Sequence, residues 1–450
     1  MLLRFRVKNH RSLRDEQELS LVRVPRRGEP KPKGGEIPPT ARVAGIYGAN
    51  ASGKSNVLDA LRWMKEAIYE SHMFWPPDKG VPRTPFFLDK KARADPSFYE
   101  IDFTWEQVRY SYGFEVTDAA VTSEWLFTFP HGRSQRLFER STTNEYSFGR
   151  HLTGQLDQIR KLTRENSLYL SCAASNNHHL LRNLHHSLSQ SIRSAHVGDQ
   201  AARTSATKQI IKDPVDQSHI DRLLQVADLG ISGTEITKSS FPETAISHFE
   251  NLIKDLEVPE ELFDQISKGA REDLAFKISL RHQPTGGILP IDQESDGTQA
   301  WLALAGPLLS VLRNGEAFLV DEIDSSLHPM ITSTLIRMFK DVEINPRNAQ
   351  LVFASHDTAL LGSMLENDLL ERDEVWFTEK DQDGATSLYS LAEFHPRGSE
   401  NTERGYLQGR YGAVPFVNFA DIRKLFIDIH RASDEPAPGK AESAPQGRHA

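Results

Sequence analysis

Cysteine occurs once in the 450 residues, at Cys172, which excludes an intramolecular disulfide and any zinc site built on cysteines. No run of eighteen apolar residues occurs, so no segment reads as a membrane-spanning helix. The opening MLLRFRVKNHRSL places Arg or Lys at every second or third residue, the pattern of a charged strand and not of a signal-peptide core. A reducing, cytosolic setting is the expectation. Positive charge is outnumbered by negative. The formal net charge is −9, whereas most dedicated DNA binders are basic. Residues 1–34 depart from that balance: ten Lys/Arg against four Asp/Glu give a local +6 and leave −15 for the rest. Such a lobe suits nucleic acid or an acidic partner, and it is equally what a solvated edge strand looks like. Residues 433–450 hold no large apolar side chain and are expected to stay disordered.

A chain of this length corresponds to two or three domain-sized units. Residues 2–8 and 16–22 alternate as strands do, and a Pro/Gly-rich loop then leads to the short buried strand ARVAGIYG. A Gly/Ser loop and a helix, SNVLDALRWMKEAIYESH, follow. FYEIDFTW, RYSYGFEV, TSEWLFTF and RLFER read as successive antiparallel strands. From about 150 to 270 the composition turns to His, Ser, Gln and Leu, and a helical insertion over residues 151–270 is expected. Beyond it, strand and helix alternate through EAFLV, AQLVFAS and DEVWFTEK, which implies a mostly parallel sheet with helices on its faces.

Residues 48–55, GANASGKS, match GxxxxGK(S/T) at every fixed position, between a buried strand and a helix start. Backbone N–H groups there can face a β-phosphate, and Gly48 and Gly53 permit close approach. Asn50, Ser52 and Asn56 belong to the same cradle, Lys54 can reach the β- and γ-oxygens, and Ser55 can ligate Mg²⁺. The strand AFLV ends in Asp321 and Glu322: the first can hold Mg²⁺ through water, the second can polarise an attacking water. His356 follows the next strand, within reach of a γ-phosphate. Ser295, Gly297 and Gln299, in ESDGTQ, precede the helix AWLALAGPLLSVL. Ser295 or Asp296 caps that helix, and a capped helix start with a glycine also exposes N–H donors to a phosphate.

The order P-loop, ESDGTQ, FLVDEID, SSLHP and ASHD resembles the ABC-type ATPase heads of RecF, SMC and OLD-family proteins. The resemblance sets residues 295–299 at the family signature, with Asp296 replacing a glycine, residues 325–328 at the D-loop and His356 at the switch histidine. A Q-loop glutamine is not placed; TPFFLD, residues 84–89, stands where one is expected. MLLRFRVKNHRSL, GIYGANASGKSN, TRENSLYLS, ESDGTQ, DEIDSSLHP, NAQLVFASHDTALL and ERGYLQGRYGAVPF together are similar to bacterial RloA/AbiLi-type ATPases over residues 1–416. That resemblance implies an ATP- and Mg²⁺-dependent homodimeric ATPase acting in abortive infection and anti-phage defence, beside an RloB/AbiLii-like effector and answering a phage protein.

Other signals carry less. Glu379, Asp381 and Asp383 imitate a nuclease metal cluster, but Asp383-Gly384 is a hairpin-turn signal. His178, His179, His185 and His186 have no acidic or cysteine co-ligand nearby and read as a polar helix. Cys172 reads as core packing. Arg404, Gln408 and Arg410 suit either a phosphate or protein contact or a structured loop.

The expectation is an α/β fold: an ABC-type P-loop head, mostly parallel sheet plus antiparallel lobe, over residues 1–150 and 271–432, interrupted by the helical insertion and ending in the tail at 433–450. The expected function is ATP hydrolysis driving a defence switch. RecF/SMC-like DNA maintenance is the alternative, and a transporter subunit or a self-contained nuclease is disfavoured.

Overall fold

The computed structural model describes residues 1–25, 36–195, 199–227, 230–238, 243–254, 263, 267–268, 271, 276–363, 369–394, 401–415 and 418–434. Of the expected tail at 433–450, residues 435–450 fall outside that set. Residues 1–413 form one compact unit, and the C-terminal helix Phe419–Asp434 belongs to a second.

Two large sheets carry the first unit. The antiparallel one is built from β1 (Leu2–Lys8), β2 (Gln17–Ser20), β4 (Ser97–Trp105), β5 (Val108–Val116), β6 (Val121–Thr128), β7 (Gln135–Arg140) and β8 (Tyr146–Phe148), in the order β2-β1-β4-β5-β6-β7-β8. Alternating side chains of these strands give each a buried face. The second sheet has six strands: β3 (Val43–Gly48), β9 (Ile192–Ala195), β13 (Ala317–Val320), β14 (Gln350–Ala354), β15 (Val375–Lys380) and β16 (Thr386–Ser390), in the order β16-β15-β3-β14-β13-β9. All its pairings are parallel except the β15–β16 hairpin. β3, β13 and β14 are buried throughout, as runs like VAGIYG and QLVFA require when helices cover both faces.

The helix Lys54–Glu70 joins the two sheets. Its Val57, Leu58, Leu61, Met64 and Ile68 share one apolar cluster with Phe5, Tyr99 and Phe114 of the antiparallel sheet and with Ile46, Leu319 and Val352 of the parallel one. Trp63 stacks on Tyr99, 4.5 Å between centroids. The end of this helix is held by TRENSLYLS. The Arg164 guanidinium donates to the carbonyls of Ser71, His72 and Trp75, at 2.9–3.1 Å, where the last turn leaves acceptors unfilled. Asn166 reaches Pro76 O and Gly80 O, and Ser171 Oγ reaches Ile68 O. Buried Glu124 accepts the N–H groups of Tyr169 and Leu170 at the start of the helix Tyr169–Ser175, a carboxylate at the positive helix end.

These contacts correct the expected helical insertion over 151–270. Residues 156–195 belong to the head: the helices Tyr169–Ser175 and His179–Gln190 bury Leu170, Leu181 and Leu184 in the common core, and β9 pairs in parallel with β13. Within the same 151–270 stretch, the helix Gln200–Ile210 lies along the helix Asp296–Asn314. Beyond it the helix Pro214–Val226 packs on a small antiparallel sheet of β10 (Ile231–Lys238), β11 (Phe276–His282) and β12 (Ile288–Pro290), so the segment is mixed and not helical. The composition suits the amphipathic helices His179–Gln190 and Pro214–Val226. What it does not encode is where those helices dock.

The demoted signals sit in structural roles. Residues 381–385 link β15 to β16 with Gly384 at φ 80°, the hairpin that Asp383-Gly384 signalled. His178 caps the helix His179–Gln190 and His185 Nε2 lies 2.9 Å from Ile68 O. Cys172 is buried in the core.

Candidate active site

Parallel pairing sets the carboxyl ends of β3, β13 and β14 along one edge, where ligands of open α/β sheets are bound. β14 lies between the other two, so the loop after β3, the acids after β13 and the histidine after β14 meet although some 270–300 residues separate them.

The loop is shaped by what surrounds it. Gly48 has φ 156°, and a Cβ there would stand 2.5 Å from Thr378 O. At Gly53, φ 110°, a Cβ would stand 2.2 Å from Thr386 Oγ1. Ser52 Oγ pairs with Thr378 Oγ1 at 2.6 Å, Thr386 Oγ1 donates to Ser52 O at 2.8 Å, and Asn56 Nδ2 donates to Ser12 Oγ at 2.6 Å. No side chain caps the helix Lys54–Glu70 at its start. The Lys54 ammonium, 5% exposed, donates to Gly48 O at 2.8 Å and Ala49 O at 3.1 Å and lies 3.3 Å from His356 Nδ1. An ammonium only donates, so Nδ1 accepts and the imidazole proton sits on Nε2. Burial pulls the Lys54 amine down to about 8, against the opposing pull of Asp321, Asp324 and Glu322. Burial, then the Lys54 charge, lower the His356 pKa, keeping that ring neutral.

Ser55 Oγ donates to Asp321 Oδ1 at 3.0 Å. Glu322 follows with φ 48°, a left-handed backbone uncommon for a side chain of its size and of a kind found at functional sites. Asp324 accepts the His356 N–H at 3.3 Å and so ties the turn after β13 to the one after β14.

A cleft of 750 Å³ opens over this edge. Asn50, Ser52, Gly53, Lys54, Ser55, Asn56, Glu322 and His356 line it. Gly48 contributes its carbonyl from behind, and Asp321, 7% exposed, lies beneath Ser55. Ser295, Gly297 and Gln299 are not on this wall. Ser295 caps the helix Asp296–Asn314, its Oγ accepting from Thr298 N at 3.2 Å, and its side chain faces solvent. Gly297 packs on the turn after β13, where a Cβ would stand 2.8 Å from Ser326 O. Gln299 donates to Glu294 O. His328 caps the helix Pro329–Lys340. Residues 84–89 do not reach the cleft: Thr84 O accepts from Arg11 N, and Asp89 caps a short helix.

Sequence reading missed Asp324 and Lys380, which also line the cleft. The acidic run DEID was a usable signal for Asp324. Lys380 stood in the hairpin read only as a turn. The buttressing Thr378 and Thr386 bond to Ser52 across 326 and 334 residues and carry no local signature.

Residues 43–362 match the family described as "AAA domain, putative AbiEii toxin, Type IV TA system". The chain belongs to this family. The match spans both halves of the cleft, so this AAA domain is a P-loop nucleotide-binding ATPase fold. It is similar to the SMC head domain from Thermotoga maritima at 14% identity and TM-score 0.38, covering 86% of this chain and 98% of that one. It is similar also to an Smc head domain bound to the C-terminal domain of ScpA, derived from Pyrococcus furiosus, at 14% identity and TM-score 0.36, over 88% and 99%. No curated protein matches it. Its fold assignment stands on strand order and the family match.

The residues present suit Mg²⁺ with ATP. The acceptors beside the loop are hard oxygens, Ser55 Oγ and the Asp321 carboxylate, and the glycine cradle is one that a Cβ would fill. Among the described residues no group of three or more His, Cys, Asp or Glu side chains could hold a metal unaided. A cation bound through few protein ligands and substrate phosphates is the chemistry this donor set favours.

Proposed function

We propose that this AAA domain hydrolyses ATP to ADP and phosphate with Mg²⁺, and that turnover works as a switch in anti-phage defence over a separately encoded effector. The observation that carries the enzymatic part is the convergence of Lys54, Ser55, Asp321, Glu322 and His356 on one cleft. Loop N–H groups and the Lys54 ammonium would take the β- and γ-phosphates, releasing Lys54 from Gly48 O and Ala49 O. Ser55 and Asp321 would hold Mg²⁺, which supplies charge neutralisation at the phosphates when bound. Glu322 would orient and polarise the attacking water, and neutral His356 would donate from Nε2 toward the γ-phosphate.

The signature residues Ser295, Gly297 and Gln299 would meet the nucleotide of a second copy. Supporting this, Ser295 and Asp296 face solvent away from their own cleft, at a helix start rich in N–H donors. A head-to-tail homodimer then holds composite sites.

The defence role, and the RloA/AbiLi-type assignment with its RloB/AbiLii-like effector and phage-protein trigger, rest on the motif resemblance and on the family's description as a putative AbiEii toxin of a type IV TA system. DNA maintenance is the second reading; against it, among the described residues of the basic N-terminal lobe Arg4, Arg6, Arg11, Arg14 and Arg23 each pair with a carboxylate. The test has two arms. The purified chain should release phosphate from ATP only with Mg²⁺ and without DNA stimulation. Cells carrying it with its adjacent gene should resist phage, and Lys54→Ala should abolish that resistance. Turnover that rises strongly with duplex DNA, or protection that survives Lys54→Ala, would overturn the reading.

A further inference from the structure

A second cavity, of 480 Å³, lies outside residues 43–362 and behind the hairpin that borders the nucleotide cleft. Its lining is Glu379, Tyr389, Glu393, Phe394, Tyr411 and Gly412. The ERGYLQGRYG segment builds half of it. Tyr406 and Tyr411 stack on buried Phe377, with centroids 5.4 and 5.7 Å apart and planes within 8° and 16°. Phe394 meets Tyr411 edge-on at 5.4 Å and Tyr389 at 5.8 Å, and remains 43% exposed at the mouth. Arg404 and Arg410 of the same segment are exposed at its edge.

The chemistry of this lining is specific. Among the described residues, three aromatic rings stand with two carboxylates and no basic side chain. Glu379 has no ion-pair partner among the described residues; its contact is the Tyr389 hydroxyl at 3.3 Å. Gly412, φ 67°, keeps the floor clear, since a Cβ there would stand 2.9 Å from Glu379 Oε2. An anion is excluded by the carboxylates, and an apolar ligand has no use for them. A cation that both stacks on rings and forks onto carboxylate oxygens fits, and the arginine guanidinium is that group.

We propose that this cavity receives an arginine side chain of a partner polypeptide, with Glu379 as its carboxylate anchor and Tyr389, Phe394 and Tyr411 as its aromatic walls. The exposed Phe394 rim gives the partner's backbone an apolar landing beside the Glu379 carboxylate. β15 links this site to the other: Thr378 bonds to Ser52 of the loop, Glu379 faces the cavity, and Lys380 lines the nucleotide cleft. The proposal does not depend on ATP turnover.

Saturation-transfer NMR on the full chain tests it, with N-acetyl-arginine amide as probe and the neutral isostere N-acetyl-citrulline amide as control. The arginine compound should bind and the citrulline compound should bind about tenfold more weakly, the cost of losing a charge-assisted pair. Glu379→Gln and Phe394→Ala should each remove most of the signal while leaving the melting temperature unchanged. Glu322→Gln reports on adventitious binding at the acidic cleft and should leave the signal intact. Equal binding of both compounds would overturn the proposal, as would loss on Glu322→Gln with retention on Glu379→Gln.

Discussion

Thr207 inserts its hydroxyl into the helix Asp296–Asn314 at Gly306: Oγ1 accepts the Gly306 N–H at 3.2 Å and donates to Leu302 O at 3.1 Å. The contact falls one residue before Pro307, which has no N–H to donate to the helix. Gly306 is required by the closeness, since a Cβ there would stand 2.6 Å from the Thr207 Cα.

Thr207→Val should therefore destabilise the head by about 1–3 kcal/mol, because an isosteric methyl removes two buried hydrogen bonds. Chemical denaturation followed by tryptophan fluorescence measures it. The same contact predicts that replacing residues 195–212 by a Gly/Ser linker unfolds the head. A linker variant with wild-type melting and turnover would count against the interlock.

Lys54→Ala should abolish ATP turnover and weaken nucleotide binding, since the phosphates lose their cation. Glu322→Gln should bind ATP normally and slow hydrolysis about 100-fold or more, since an amide is no base. Binding by fluorescent ATP analogue and phosphate release separate the two. Undiminished hydrolysis by Glu322→Gln would remove that residue from the mechanism.

Ser295→Arg and Lys54→Ala, each inactive alone, should regain part of the activity when mixed, because one composite site of the mixed dimer has both halves intact. Dissociating and reassembling the pair before assay allows exchange. Light scattering that finds the fully active enzyme to be a strict monomer would end the idea.

The Lys54 amine titrates near 8 in the nucleotide-free protein because burial disfavours its charged form. The ammonium is the form that binds phosphate. Below pH 8 it is already present; above, ATP must bring a proton with it. ATP affinity should fall as the pH rises through about 8, with uptake of about one proton at pH 9, readable by calorimetry in buffers of different ionisation enthalpy. Affinity independent of pH across that window would place the Lys54 titration elsewhere.

Motifs whose geometry is local were legible in the sequence. The Gly48–Ser55 loop needs only a strand, glycines and a helix start, all contiguous, and the strand AFLV carries Asp321 and Glu322 to its own end wherever the sheet places it. Capping by Ser295 is likewise set by three neighbouring residues. Relations between distant segments were decided by the tertiary structure. Nothing near Thr207 says that its hydroxyl will complete a helix almost 100 residues on, nor near Ile192 that this strand will edge the sheet beside β13. Thr378, Thr386 and Lys380 acquire their place at the nucleotide loop, and Glu379 its aromatic cavity, only because β15 pairs with β3. The physical reason is range: caps, turns and periodicity act over a few residues, whereas docking and strand order are settled by burial of the whole apolar surface at once.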